Sequence, residues 1–498
     1  MASYLLSASL LLGAVSAQGL LNTVQEEHPK ITTYRCTKAR GCVAKQNSIV
    51  LDAGSHNIRQ RDAPSLGCGN WGSGPNATVC PDAATCAQNC VMDGLTVSDY
   101  AALGVKTTGD SLYLDMYRDS DLSSLSPRVY LLAEDEKSYE MLKLTGNEFT
   151  FTVNGPKLPC GMNSALYLSE MEADGGRSEL NPGGATYGTG YCDAQCYTTP
   201  FINGEGNIAA SSLCCNEMDI WEANSRATHL APHPCNQTGL YAGNPAESAF
   251  DGICDKNGCG HNPARLGAKD YYGYGKNVDT NKPITVVTQF PADASGKLVG
   301  YRRLYIQDGK QINSVKTIPY FESFDDDFCA SVGSTRYMDL GATEQMGNAL
   351  TRGMVLAISI WADEGGFMNW LDSGDAGPCN ATEGDPKIIR QVQPDTEVTF
   401  SAFKWGEIGS TYATAKPPTN KCAADDCLRA FRAKTIKGRL EESQRFCKTY
   451  TAYPEVSPSA LPKYAQDACK GDSIVRASSA CSCLPAATPG PKPGPKFL

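Results

Sequence analysis

The sequence predicts an all-β fold: a large β-sandwich with long loops, followed by a small cysteine-rich C-terminal segment. Three observations predict it. Short runs rich in β-branched and aromatic residues recur between clusters of Gly, Pro, Asn and Asp. With 48 Gly, 29 Pro and 41% hydrophobic residues in 498, the chain shows few strong helical periodicities and suits a β-rich domain with an appendage. No β-α-β alternation or internal repeat is visible, and six of the 22 cysteines crowd beyond residue 420.

In chain order, residues 1–17 read as a signal peptide. Leu5 to Val15 is an apolar run too short to span a bilayer, and Val15-Ser16-Ala17 resembles a cleavage site, although the preceding region lacks Lys and Arg. A secreted, extracellular chain beginning near Gln18 is expected, with no membrane segment. Residues 18–411 form the predicted sandwich. Its clearest strands are Ser111–Met116, Val129–Leu132, Glu148–Val153, Ile284–Phe290 and Met354–Trp361, bounded by turn residues. Gly183 to Gly190 lacks the strand-Gly-helix context of a nucleotide fingerprint and reads as a turn. Asp325-Asp326-Asp327 lacks the alternating ligand spacing of a calcium loop and reads as a solvated turn. Residues 412–421 form a linker around Lys416-Pro417-Pro418-Thr419-Asn420. In the cysteine-rich module 422–483, Leu428, Phe431, Ile436 and Leu440 among many charges predict a short helix or two, and three disulfides are possible. The Pro/Gly/Lys tail 484–498 is expected to be disordered.

The net charge of −10 argues against nucleic acid, whose phosphates call for clustered Lys and Arg. Residues 417–498 hold 13 Lys+Arg against 7 Asp+Glu, so the remainder carries −16 and suits a neutral polysaccharide better than a polyanion. An even cysteine count behind a secretory leader predicts disulfides. Asn76, Asn236 and Asn380 open N-glycosylation sequons, which places them on the surface.

The densest chemistry lies in Asn216-Glu217-Met218-Asp219-Ile220-Trp221-Glu222-Ala223-Asn224. On a regular strand Glu217 and Asp219 share a face and Glu222 points oppositely. One β-bulge between Asp219 and Glu222 restores the parity, and bulges re-aim side chains in this way beside active sites. Two Glu side chains could then converge over one substrate bond, which is the requirement of retaining glycoside hydrolysis. Glu217 is expected to be the nucleophile and Glu222 the acid/base. Asp219 can hydrogen-bond Glu217 and, by its charge, help the partner acid keep the proton it starts with. The competing reading is a solvated acidic edge strand. Met218, Ile220 and Trp221 weigh against it, because they imply that the other face is buried.

Set in Cys214-Cys215-Asn216 and followed by Ala223-Asn224, the E-x-D-x-x-E pattern resembles the active-site strand of family 7 glycoside hydrolases, the fungal cellulases. The resemblance runs from about His28 to Ser410, through Thr33–Lys38, Leu158–Asn163, Tyr187–Asp193, Pro232–Cys235 and Met368–Ser373. It implies a concanavalin-like jelly roll whose concave sheet carries the three acids, in the roles given above, along a substrate groove. It also implies the pairings Cys36–Cys42, Cys68–Cys90, Cys80–Cys86, Cys160–Cys379, Cys192–Cys215, Cys196–Cys214, Cys235–Cys254 and Cys259–Cys329. A zinc site on Cys192, Cys196, Cys214 and Cys215 is the rival, disfavoured in an oxidising compartment. No metal or organic cofactor is expected for this mechanism.

Glucan chains bind by stacking on aromatic rings and by polar contacts to hydroxyls. By resemblance, Trp361 lies under the −2 sugar and Trp370 at +1, while Tyr167, Gln195, Arg128 and His233 contact sugar near the cleavage point and Arg265 lines the groove. A buried His bonded to backbone is the alternative for His233. Within the family, cellobiohydrolases roof the groove with long loops. Here only nine residues separate Gly204 from Cys214, Asp372–Cys379 omits a loop bearing a product-site Arg, and Ala249 stands where another such Arg aligns. Asp52–Arg59 lacks two aromatics for distant glucose units. The sequence therefore predicts a monomeric endo-β-1,4-glucanase acting on cellulose and related β-glucans. A cellobiohydrolase and a non-catalytic, lectin-like glycan binder are the alternatives. The C-terminal module is unlike the aromatic-faced cellulose-binding module, since it has no Trp.

Overall fold

The computed structural model describes residues 25–69, 73–243, 252–312, 323–412, 425–433, 435–452, 461–470 and 473–484. The signal peptide, Ala249, all but Tyr412 of the linker and all but Leu484 of the tail lie outside them. The chain divides into two compact units, Met1–Thr414 and Ala415–Leu498.

The first unit is built on one continuous sheet of fifteen strands. From one end its order runs Thr228–His233, Glu217–Ala223, Met162–Ser169, Met354–Ala362, Arg128–Leu132, Gly41–Leu51 and Lys30–Thr37. It continues through Glu397–Glu407, Asn147–Asn154, Ile284–Gln289, Arg302–Gln307 and Lys310–Ile312. All five strands expected from the sequence are present within a residue or two. The pairings are antiparallel except where Lys30–Thr37 meets Glu397–Glu407. The sheet curls back on itself, so that strands from its two ends face each other across a core and form a jelly-roll sandwich. Trp221 meets Phe151 edge-on at 5.9 Å between the two layers.

Alternation fixes which side chains reach that core. Met162, Leu166 and Leu168, Val129 and Leu131, and Leu356, Ile358 and Ile360 point inward from neighbouring strands and are fully buried. Phe149, Phe151, Val153, Val286 and Phe400 meet them from the opposing layer. Trp221 is the largest of these fully buried residues, and its truncation to Ala would cost about 3–5 kcal/mol. The intervening residues, among them Arg128, Tyr130, Asn163, Tyr167 and Trp361, face the other way, and that second face carries the site.

One sequence expectation needs correction and another gains detail. Asp325-Asp326-Asp327 is a helix start: Asp325 caps the helix Asp326–Ser331 by accepting from the Phe328 N–H, and Asp326 accepts from the Thr343 hydroxyl and N–H. The stretch 183–190 holds a short 3₁₀ helix, Gly184–Tyr187, inside the expected turn.

The second unit is helical, with Asp426–Phe431, Arg439–Ala452, Lys463–Ala468 and Ser473–Ser482. Leu428, Phe431, Leu461, Ala465 and Ala477 form its core, stitched by Cys427–Cys469 and Cys447–Cys481. Cys483 is also disulfide-bonded, while Cys422 lies outside the described residues.

Candidate active site

Strand Glu217–Ala223 lies between Met162–Ser169 and Thr228–His233, and the expected bulge is present against both neighbours. On one side Tyr167 pairs with Asp219 while the next residue, Leu166, pairs with Trp221. On the other, Asp219 faces Ala231 and Glu222 faces His229, three steps against two. Ile220 is the extra residue. Ile220 and Trp221 consequently both enter the core, and Glu222 returns to the face of Glu217 and Asp219. Met218, Ile220 and Trp221 are at most 1% exposed. The acids keep 6% (Glu217), 7% (Asp219) and 8% (Glu222), enough to be touched from solvent.

Each acid is held by a different partner. Glu217 Oε2 accepts from the Ala194 N–H at 3.0 Å. Asp219 Oδ2 pairs with His233 Nε2 at 2.9 Å, so its carboxylate is spent on His233 where a bond to Glu217 was expected. His233 Nδ1 lies 2.8 Å from the Asp255 carbonyl, so this His is the buried, backbone-bonded residue of the alternative reading, with its other nitrogen turned to Asp219. Glu222 accepts from Asn163 Nδ2 at 2.9 Å and lies 3.2 Å from His229 Nδ1. Both imidazoles rest on the segment Gly258-Cys259-Gly260. A Cβ on Gly258, where φ is +68°, would lie 2.6 Å from the His233 ring, and one on Gly260 would collide with His229.

Burial pushes Glu217 well above the usual carboxylate range, with the charges of Asp219 and Asp193 adding to it and His233 and the Ala194 amide opposing. Burial and then the charge of Glu222 lift Asp219 to about 6 against the pull of His233. Burial alone would lower His233, but its bond to Asp219 and the charges of Asp219, Glu217 and Asp255 push it up to about 10. Burial and the neighbouring charges thus favour a proton on Glu217, the expected nucleophile, where the sequence expectation was a proton held on its partner acid.

Of the remaining candidates, Arg128, Tyr167 and Trp361 stand on strands of that face, whereas Trp370 lies on the short helix Asn369–Asp372 and Gln195 and Arg265 lie outside the strands. Arg128 stacks on Tyr191 at 3.5 Å and donates to Asp52 Oδ2 at 3.1 Å. Tyr167, 5% exposed, shares a 3.0 Å bond with the Tyr191 hydroxyl, which donates to Asp193 at 2.7 Å. Trp361 is half-buried opposite Asn163. Trp370 is 38% exposed and meets His229 edge-on at 5.8 Å. The exposed Arg265 donates to the Trp370 carbonyl at 2.7 Å, and the exposed Gln195 to the Lys256 carbonyl at 2.8 Å. Sequence reasoning gave no separate role to His229, Asn163, Tyr191 or Asp193. His229 was within reach, because counting outward from the turn Asn224–Ala227 sets it opposite Glu222.

All eight cystines expected in the first unit are formed, and the four cysteines of the rival zinc site make two of them. The three sequon asparagines are exposed. A cavity of about 130 Å³ bounded by Arg226, Thr228, Asn262 and Tyr272 contains none of the acids, which lie along a sheet face instead. Residues 205–213 fold into a close connection between the two-stranded ribbon Phe201–Gly206 and strand Ser212–Cys214, and Ser373 bridges to Cys379 across an equally short loop. Among the described residues, no helix is long and apolar enough to cross a membrane.

A jelly-roll sandwich carrying three acids and two indoles on one face has the make-up of a glycoside hydrolase. Residues 21–412 match the model of glycosyl hydrolase family 7. The chain is 57% identical over 417 residues to endoglucanase EG-1 of Humicola insolens, covering 82% of this chain and 95% of that one. The native endocellulase EGI structure from Humicola insolens superposes with a TM-score of 0.76 at 57% identity, over 78% of this chain and 99% of that one. A cellobiohydrolase from Melanocarpus albomyces complexed with cellotetraose gives 0.72 at 32% identity, over 79% and 99%. The chain belongs to glycosyl hydrolase family 7.

Proposed function

We propose that this chain is a secreted, retaining endo-β-1,4-glucanase that cleaves internal bonds of cellulose and related β-glucans. The observation that carries the reading is the bulge at Ile220, which turns Glu217, Asp219 and Glu222 onto one face. In the first step Glu217 attacks the anomeric carbon while Glu222 gives its proton to the leaving glycosidic oxygen. In the second Glu222 takes a proton from water, the water oxygen bonds to the anomeric carbon, and the Glu217 ester breaks. The Asp219–His233 pair acts on Glu217, whose hold on a proton Asp219 strengthens and His233 weakens. Trp361 and Trp370 stack sugars on either side of the cleavage point, with Arg128, Tyr167, Gln195 and Arg265 as polar contacts.

Endo action is favoured over release of cellobiose from chain ends because the connections at 205–213 and 373–379 are too short to roof a groove. A lectin-like binder would have no use for three acids held by dedicated partners. Viscosity of carboxymethylcellulose, followed together with reducing ends, tests the endo reading: internal cuts collapse viscosity before much sugar is released. Proton NMR of the first product should show the β-anomer. Glu217→Gln and Glu222→Gln should each cut kcat by at least about 10²-fold while oligosaccharide binding persists. An active Glu217→Gln, or an inverted first product, would refute the mechanism.

A further inference from the structure

The bulge that aligns the acids leaves a debt in the backbone. Ile220 has no ladder partner on either neighbouring strand, so its carbonyl, in the sandwich interior, must find a donor elsewhere. That donor comes from the opposite layer. Arg303, on strand Arg302–Gln307 and 4% exposed, directs Nη2 to the Ile220 carbonyl. The strand places it there by register, since Arg303 pairs with Thr288 and its neighbours Leu304 and Tyr305 pair with Val287 and Val286. Its guanidinium lies 5.8 Å from the Tyr305 ring centre, and the Tyr271 and Tyr272 hydroxyls interact with its charge. A buried cation in a sandwich core is costly, and an apolar side chain of similar volume would usually serve stability as well. Its position under the one irregular residue of the acid strand gives it a purpose.

We infer that Arg303 is a positioning residue for the glycosidase reaction, which pins the Ile220 carbonyl from beneath and so sets where Glu222 stands relative to Glu217. The inference rests on the reading of Glu222 as acid/base. Glu217 and Asp219 precede the bulge, on regular strand that pairs with Ser169, Tyr167, Ala231 and His233. Glu222 follows it, two residues from the pinned carbonyl. Losing the pin therefore displaces the proton donor and leaves the nucleophile in register.

Arg303→Lys and Arg303→Met test this through two substrates. The sugar alcohol expelled from cellotetraose is a poor leaving group that must be protonated as it departs, whereas 2,4-dinitrophenyl cellobioside expels a stable dinitrophenolate that needs no proton. In both variants kcat/KM for cellotetraose should fall on the order of 10²-fold and that for the dinitrophenyl glycoside less than about fivefold. A merely structural role lowers the amount of folded enzyme and so scales both substrates equally. The ratio between them does not depend on how much enzyme folds. Equal losses, or no loss, in the variants would overturn the inference. Glu222→Gln is the control: if it also fails to separate the substrates, it is the acid/base assignment that falls, and if it separates them while the Arg303 variants do not, only the role of Arg303 falls.

Discussion

At the scale of single residues, the site consists of three carboxylates made distinct by what each touches: an amide N–H at Glu217, an imidazole at Asp219, and an amide with a second imidazole at Glu222. This has a consequence for stability. His233 is pushed up to about 10 in the fold, above the value of roughly 6.5 expected once unfolded. The folded chain then holds a proton that the unfolded chain releases, so this contribution is complete below pH ~6.5 and is lost as pH rises through about 10. Asp219, raised to about 6, acts in the same sense at lower pH, since its contribution disappears as pH climbs from ~4 through 6. Tm should therefore decline between pH 7 and 10, and His233→Asn should flatten that decline; a wild-type Tm that rises over this range would contradict the pairing. The acids were legible in the sequence because parity arithmetic demanded a bulge at one place. Asn163 was not, because its importance depends on which strands become neighbours, and strand order is a property of the tertiary fold; His229, across a hairpin from Glu222, could have been counted. The sugar contacts proposed for Gln195 and Arg265 rest on family resemblance, since the structure shows them donating to the Lys256 and Trp370 carbonyls.

At the scale of elements, the irregularity at Ile220 matters more than the regular strands around it. Deleting Ile220 would restore an unbroken ladder with Glu222 still on the face of Glu217, opposite Ala165 and His229, but it would empty the core space that Ile220 fills and remove the carbonyl to which Arg303 donates. The expected result is a lowered Tm by circular dichroism and a loss of activity on cellotetraose on the order of 10²-fold, because Glu222 loses its anchor. An active deletion variant would show that the strand does not need its bulge. Trp361, on the strand two places from the acids, should contribute chiefly binding: Trp361→Ala is expected to weaken cello-oligosaccharide affinity by roughly two- to tenfold, from a stacking energy of about 0.5–1.5 kcal/mol, as measured by calorimetry on Glu217→Gln. The large strands could be read from sequence because they are long, β-branched and bounded by turn residues. Helices Lys463–Ala468 and Ser473–Ser482 could not, since they are short and rich in Ala and Ser and take their stability from disulfides and a small shared core rather than from an amphipathic pattern. The helix start at Asp325 was missed for a related reason: three adjacent aspartates suggest solvent until one of them is seen accepting from an N–H three residues on.

At the scale of the whole molecule, the two units each have their own core and their own cystines. A chain ended after Thr414 should fold and hydrolyse soluble substrate with kcat within about twofold of the full chain, checked by steady-state kinetics on carboxymethylcellulose. A large loss would mean that the second unit takes part in catalysis. The sandwich class was legible from composition and punctuation, but the pairing of sixteen cysteines was not, because their number allows far too many connectivities for spacing to decide.

The backbone N–H that holds Glu217 belongs to Ala194, which lies between Cys192 and Cys196, and both of these are tied to the adjacent residues Cys214 and Cys215. The sulfurs of Cys196, Cys214 and Cys254 sit within 4.8 Å of one another. Oxidative maturation thus has a hazard at its most consequential point, because a scrambled isomer can form among these neighbours without disturbing the sandwich. Production in a reducing host should then give soluble protein of normal strand content that binds glucan and turns over little. Incubation with a thiol–disulfide isomerase together with oxidised glutathione, which supplies the oxidant that the free thiols require, should recover it without full refolding.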